Sequence, residues 1–162
     1  MSTDEEHSRD PDALTRATHA ILPFVERTGL RIDRADRGHV KVTMPLGPNT
    51  NHVGTMYAGA LFTLAEIPGG TMSAASFDPS RFVPIVKDLR ITFLKPAVTD
   101  VSVEVRLSDE EIDAVLARAE ADGKADYGWE SELLDANGVV VARSENLYQI
   151  RSRDLPMPPA SR

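Results

Sequence analysis

A single carboxylate lies in the most apolar stretch of this chain. Within residues 53–77, Glu66 is the only side chain that is ionised at neutral pH. Burying an unpaired carboxylate costs several kcal/mol or raises its pKa until it becomes neutral, so proteins keep such a group mainly where it has a partner or a use. The pattern therefore predicts a general base or a nucleophile at Glu66, or else a structural carboxylate bonded by a nearby donor.

Small residues accompany this carboxylate at helical spacing. Gly59, Thr63, Glu66 and Gly70 follow one another at intervals of four, three and four residues. In a helix these residues share one face. Because glycine lacks a side chain, a ligand or a second backbone can come close to that face, and Thr63 is predicted to lie beside the substrate.

The residues just before this helix predict a site for negative charge. Tyr57, Ala58 and Gly59 mark a helix N-terminus, where free amides and the helix dipole stabilise an anion. The Gly59 amide is predicted to hold an oxyanion formed on a carbonyl carbon. Asn51, on the loop that precedes this helix, either adds a hydrogen bond to that site or only shapes a turn. Tyr57 is equally compatible with packing and with donating its hydroxyl.

The distance between these two features predicts a site shared by two chains. Seven residues separate Gly59 from Glu66, which is about 10 Å along a helix axis. Reacting atoms must come within about 3–3.5 Å of each other. If both groups act on one substrate, Gly59 of one copy should face Glu66 of another.

Local patterns predict an α+β domain with one antiparallel sheet. Helical spacing covers residues 12–29, with an interruption at Pro23, and residues 58–75, with a bend at Pro68. Ser108 and Glu111 fit a capping box that opens a short helix through residue 121. The predicted strands cover residues 30–36, 39–44, 82–94, 101–107, 127–134 and 139–150.

The predicted strands must curl around the second helix. That helix has no polar face, so it has to be surrounded. In the strand over 82–94, alternation predicts one face that carries Ile85, Leu89, Ile91 and Phe93, joined by Lys87. A sheet wrapped on one helix leaves strand edges exposed, which favours pairing with a second copy.

Composition limits the classes of function. Residues 1–11 and 152–162 are predicted to be a disordered and a flexible tail around one domain at 12–151. The net charge of −7 disfavours nucleic-acid binding, and the lack of cysteine excludes disulfides and thiolate chemistry. The histidines show no metal-ligand spacing. With no secretory signal and no membrane span in the sequence, a soluble cytoplasmic protein is expected.

The residues around Glu66 resemble a known signature. PaaI-like acyl-CoA thioesterases of the hot-dog fold carry Asn, two residues, Gly-Thr, one residue, His-Gly-Gly, and an acid seven residues after the last glycine. Asn51, Gly54-Thr55, Gly59 and Glu66 match this pattern, while Tyr57-Ala58 replaces His-Gly. Residues 91–97 resemble the strand end that follows in the family. The capped helix after Ser108 is similar to a DUF4442-like branch of uncharacterised thioesterases.

The resemblance, which covers roughly residues 12–151, implies a hot-dog fold that hydrolyses an acyl-CoA thioester at a dimer interface. It implies that Glu66 is the general base or nucleophile and that the Gly59 amide is the oxyanion donor. Asn51 would help to position the thioester or the water. A homodimer or a dimer of dimers is expected, with coenzyme A present only as part of the substrate. The residues expected to contact substrate are Tyr57, Ala58, Thr63, His52 and Lys95.

Two other functions fit the same residues. Loss of His-Gly makes a non-catalytic acyl or acyl-CoA binding protein of the hot-dog fold credible, and a structural oligomerisation domain is the second alternative. A hot-dog dehydratase is disfavoured, because such enzymes usually depend on a catalytic histidine that this helix lacks.

Overall fold

The structure of the protein is a computed structural model that describes residues 9–156. The predicted tails at 1–11 and 152–162 lie for the most part outside the described residues. The elements in chain order are α1 (Pro11–Ile21), α2 (Pro23–Thr28), β1 (Arg31–Asp36), β2 (His39–Met44), α3 (Ala58–Glu66), α4 (Pro68–Ser76), β3 (Phe82–Phe93), β4 (Val101–Arg106), α5 (Asp109–Asp122), β5 (Lys124–Asp135) and β6 (Val140–Ser152). None of the helices in this range has the length and apolar character needed to cross a bilayer.

The strands form one antiparallel sheet in the order β1-β2-β4-β5-β6-β3. Gly38 and Gly138 lie in the turns of the hairpins β1–β2 and β5–β6, both with positive φ, which explains why these turns contain glycine. The predicted capping box is confirmed, because Ser108 Oγ accepts from the Glu111 amide while the Glu111 carboxylate accepts from the Ser108 amide.

The central helix fills the hollow of the sheet. Leu64 of α3 and Met72 of α4 are fully buried against inward-facing valines of β2 and β4, such as Val42 and Val103. The helix is bent at Ile67, between α3 and α4, as Pro68 predicts. The expectation of an α+β hot-dog fold, an antiparallel sheet wrapped around a long central helix, is confirmed.

Side chains from β6 stabilise the bend in the central helix. Asn146 Nδ2 donates to the carbonyl of Ala65 at 2.8 Å, and the Tyr148 hydroxyl donates to the carbonyl of Glu66 at 2.9 Å. Gly69 packs directly on the Tyr148 ring, because a Cβ at this position would lie 2.0 Å from a ring atom. The bend is therefore held by the sheet as well as by Pro68.

One prediction for β3 is wrong. The register with β6 shifts between Val86 and Asp88, so that Lys87 is an extra residue in this strand. Paired residues of an antiparallel ladder point to the same face. Val86 lies opposite the buried Tyr148 and faces the helix, whereas Ile85 lies on the other face. Because of the bulge, Ile85 and Leu89 lie on opposite faces of the sheet instead of sharing one face.

The two edges of the sheet differ. Helix α1 covers the β1 edge, where Thr15 Oγ1 accepts from the amide of Ile32 at 2.9 Å and His19 Nε2 donates to the carbonyl of Leu30 at 2.8 Å. Along the β3 edge, no described residue covers the free backbone groups. Helix α1 is thus attached to the β1 edge of the sheet.

Candidate functional site

Glu66 ends α3 and is partly buried. Burial raises the pKa of its carboxyl group above the ordinary value, because desolvation disfavours the charged form. Within residues 9–156, no cation and no hydrogen-bond donor contacts this carboxylate. The structural alternative, a carboxylate held by a lysine or an amide, therefore finds no partner in this part of the chain.

The bend of the central helix determines where this carboxylate lies. Tyr148 holds the backbone carbonyl of Glu66, and its hydroxyl accepts a hydrogen bond from Asn146 Nδ2 at 2.7 Å. Burial raises the pKa of the Tyr148 hydroxyl, and the charge of Glu66 raises it further. Tyr148 thus stays a neutral donor at physiological pH.

A cavity of about 410 Å³ opens beside Glu66, between α1, α4 and β3. Its walls are mainly apolar, and Glu66 and Arg153 are the only charged residues among the described ones that line it. The volume falls within the range of small-molecule pockets. A larger hollow of about 640 Å³ is lined by Glu104, Glu130 and other acidic residues, which would repel an anionic ligand.

The N-terminus of α3 has free amides, as predicted. The Tyr57 carbonyl accepts from the amides of Ala60 and Leu61, while the amides of Ala58 and Gly59 have no acceptor among residues 9–156. The Tyr57 ring lies against Gly59, since a Cβ there would be 2.4 Å from the ring. Tyr57 is also 60% exposed, so solvent reaches this residue.

Asn51 shapes the loop that precedes α3. Its Oδ1 accepts from the amides of Val53 and Thr55 at 3.0 and 3.1 Å, and its Nδ2 donates to Thr55 Oγ1 at 2.9 Å. This is the turn-shaping use of asparagine. Because an amide group carries two N–H donors, one remains for a ligand.

The other residues predicted to contact the substrate do not lie together. Lys95 and Ala58 line a hollow of about 330 Å³ together with Asn51. Thr63 is buried, and its hydroxyl donates to the Gly59 carbonyl at 2.8 Å, which fixes the first turn of α3. His52 is exposed on the loop and lines neither this hollow nor the cavity at Glu66.

The structure therefore brings the predicted residues together in two groups. One group surrounds the N-terminus of α3, and the other consists of Glu66 and the cavity beside it. Neither of these two cavities is lined by both groups. This separation agrees with the distance expected from the sequence.

Sequence reasoning missed the residues that support Glu66. Ser144, Asn146 and Tyr148 occupy inward positions of β6 and are all nearly fully buried. Polar residues at alternate positions of a core strand are a readable signal, because buried polar groups need partners. The apolar positions Leu14 and Ile21 of α1 were visible as a helical stripe, but their place at the cavity was not.

A sequence profile of the domain of unknown function DUF4442 matches residues 11–149. A protein of unknown function from Pseudomonas aeruginosa, described as a probable thioesterase, has 47% sequence identity and a TM-score of 0.82, with 91% of this chain and 99% of that chain covered.

More distant structures share the fold. A protein of unknown function from Chlorobaculum tepidum has 20% identity and a TM-score of 0.77, with 87% of this chain and 96% of that chain covered. A thioesterase from Haemophilus influenzae has 13% identity and a TM-score of 0.70, with coverage of 93% and 96%. Among curated proteins, no match is found.

Proposed function

This chain belongs to the family of the domain of unknown function DUF4442, and from that starting point we propose that it is a cytoplasmic enzyme that hydrolyses acyl-coenzyme A thioesters. The likeness to a probable thioesterase of 47% identity supports this class of reaction. One observation carries the proposal: Glu66 is a partly buried carboxylate without a partner among residues 9–156, at the rim of an apolar cavity.

Glu66 acts in its ionised form by one of two routes. As a general base it takes a proton from water, whose oxygen attacks the thioester carbonyl carbon; the C–S bond then breaks, and the proton passes to the leaving thiolate. As a nucleophile its carboxylate oxygen attacks instead, the thiolate leaves, and water hydrolyses the resulting mixed anhydride.

The N-terminus of α3 supplies the oxyanion site. The free amide of Gly59, next to that of Ala58, donates to the oxygen that becomes negative in the transition state, and the helix dipole adds to this stabilisation. The remaining N–H of Asn51 orients the thioester or the water. Lys95 lines the same hollow, and in this proposal its ammonium group meets a phosphate of coenzyme A.

The remaining predicted residues have supporting roles in this arrangement. Thr63 fixes the Gly59 peptide through its hydroxyl, which donates to the Gly59 carbonyl. Tyr57 and His52 are both exposed and are next in sequence to Ala58 and Asn51, which line the hollow.

A second copy completes the site, because Gly59 and Glu66 lie about 10 Å apart along their own helix. The free β3 edge supports such an assembly, since a long uncovered strand invites pairing. Phe62 of α3 and Phe93 of β3 are 43% and 49% exposed, which gives this side of the molecule an apolar surface. The assembly is a homodimer or a dimer of dimers.

The first test is Glu66→Gln, measured by thiol release from a panel of acyl-CoA substrates. We expect kcat/KM to fall at least about 10²-fold, the scale of acid–base contributions, while acyl-CoA binding persists. Glu110→Gln, at an exposed position in the first turn of α5, is the matched control and should keep wild-type turnover. Wild-type turnover in Glu66→Gln would contradict the proposal.

A non-catalytic acyl-CoA binding protein is the second candidate. It is favoured by the Tyr57 ring, which lies against Gly59 and covers one side of the proposed oxyanion donor. If the wild-type protein binds acyl-CoA but releases no thiol above the uncatalysed rate, this candidate replaces the hydrolase.

A further inference from the structure

Helix α1 presents an apolar stripe that is only partly packed against the core. Leu14, Ala17 and Ile21 are spaced three and four residues apart, which would normally place a helix face in the core. None of the residues of α1 is buried, however, and Ile21 is 76% exposed. All three residues line the cavity of about 410 Å³ beside Glu66. Leu14 also packs against the edge of the core, whereas Ala17 and Ile21 are exposed and border the cavity.

The opposite wall of the cavity has unused room at Gly70 of α4. A Cβ built at Gly70 would have no atom within 4 Å. Glycine inside a helix is less favourable than alanine, so sterics of the folded chain do not explain its presence here. The neighbouring Gly69 differs, because Tyr148 occupies the space beside it.

The cavity lining follows two helical segments and offers little to a polar ligand. Its lining extends along the central helix from Glu66 to Ala74 and along α1 from Leu14 to Leu22, about 12 Å in each case. Two of its hydroxyl groups are already bonded to the backbone, since Thr71 donates to the Ile67 carbonyl and Tyr148 to the Glu66 carbonyl.

We propose that this cavity binds the acyl chain of the substrate, and that the chain is an unbranched aliphatic one of medium length. The inference rests on the proposed function, because Glu66 at the rim fixes where the thioester carbonyl must lie. The hydrocarbon then extends between Gly70 and α1 and covers the apolar stripe of α1. Each buried methylene strengthens binding about four-fold until the chain reaches the end of the cavity.

Substrate choice gives the first measurement. Among butyryl-, octanoyl-, palmitoyl- and phenylacetyl-CoA, kcat/KM should be highest for octanoyl-CoA. A preference for palmitoyl-CoA would overturn the assignment, because a chain of sixteen carbons is longer than a lining of about 12 Å. A preference for phenylacetyl-CoA would overturn the assignment to an aliphatic chain.

Two variants that fill the cavity give the second measurement. In Gly70→Val and Ala74→Val, the ratio of kcat/KM for octanoyl-CoA to that for butyryl-CoA should fall at least about ten-fold, which is the loss of about two buried methylenes. Ala117→Val makes the same change as Ala74→Val on the exposed face of α5 and should leave both values unchanged.

The outcomes separate this inference from the proposed function. If both filled variants keep the wild-type ratio while Glu66→Gln is inactive, the acyl site lies elsewhere and the hydrolase proposal stands. If the wild-type protein hydrolyses nothing, the test is the affinity for octanoyl-CoA measured by calorimetry. Weaker binding in Gly70→Val and Ala74→Val, but not in Ala117→Val, supports the cavity as the acyl site. Equal binding in all of them overturns the inference. If Gly70→Val dissociates the oligomer in sedimentation experiments, Gly70 faces a second copy and the inference fails.

Discussion

Glu66 combines two properties that conflict in a folded protein. Its burial favours the neutral carboxylic acid, whereas both proposed routes need the carboxylate. No donor among residues 9–156 relieves this conflict, so within this range the carboxylate is not held in an ion pair. A group of this kind costs the fold stability and is retained where chemistry needs it.

The raised pKa of Glu66 predicts a pH dependence. Because only the ionised form can act, kcat/KM should increase with pH through an acid limb whose midpoint lies above 4.5, the ordinary value for glutamic acid. The measurement is a pH profile of kcat/KM for octanoyl-CoA. In Glu66→Asp, any remaining activity should keep an acid limb, and in Glu66→Gln the limb should be absent. An acid limb centred below 4.5 would show that Glu66 is not the titrating group.

At the scale of elements, the bend between α3 and α4 decides where Glu66 lies. Pro68 interrupts the helix, and Asn146 and Tyr148 of β6 donate to the carbonyls of Ala65 and Glu66 just before it. The Tyr148 ring packs on Gly69, where a larger residue would overlap the ring. The central helix and β6 therefore pack closely at the bend. Glu66, at the bend, lies one helical turn before Gly70, where the space is open.

Adjacent glycines of α4 should respond in opposite ways to the same substitution. Gly69→Ala forces a methyl group into the Tyr148 ring and should lower the free energy of unfolding by about 3 kcal/mol. Gly70→Ala meets open space and should raise it by up to about 1 kcal/mol through helix propensity. Urea unfolding at one fixed protein concentration measures both. Equal effects of the two substitutions would mean that the bend is packed differently.

Over residues 9–156, the two proposed functional groups, Glu66 and the N-terminus of α3, lie apart and one sheet edge is free. Helix α1 covers the β1 edge, while the β3 edge and the phenylalanines Phe62 and Phe93 remain exposed among the described residues. The hollow at the N-terminus of α3 and the cavity at Glu66 are separate spaces in one chain. An assembly that joins the two groups would cover the same exposed surface.

Complementation between inactive variants tests the shared site. Glu66→Gln removes the carboxylate, and Gly59→Val places a side chain over the oxyanion amide while displacing only the exposed Tyr57 ring. Each variant alone should be inactive. When both are co-expressed, half of the pairs contain one chain of each kind and have one intact site, so about a quarter of wild-type activity should return.

The control for complementation is the double variant Glu66→Gln/Gly59→Val expressed with Glu66→Gln. It should restore nothing, because no pair then contains an intact Glu66. If the two single variants also restore nothing, although mixed oligomers form, then Gly59 and Glu66 do not act across an interface.

The sequence alone was enough for the parts of the fold that depend on neighbouring residues. The order of helices and strands, the turns at Gly38 and Gly138, the capping box at Ser108 and the break at Pro68 all follow from local backbone chemistry. Glu66 was also identifiable, because a lone acid in an apolar helix is unusual whatever surrounds it.

Only the tertiary structure decided what surrounds that acid. The bulge at Lys87, the bonding of the bend by Asn146 and Tyr148, and the cavity beneath α1 each join segments that are distant in the sequence. No periodicity within one segment can report them, since each depends on how strands align and on where a helix settles over a curled sheet. Local patterns specify what each segment becomes, and packing between segments specifies which of their side chains meet.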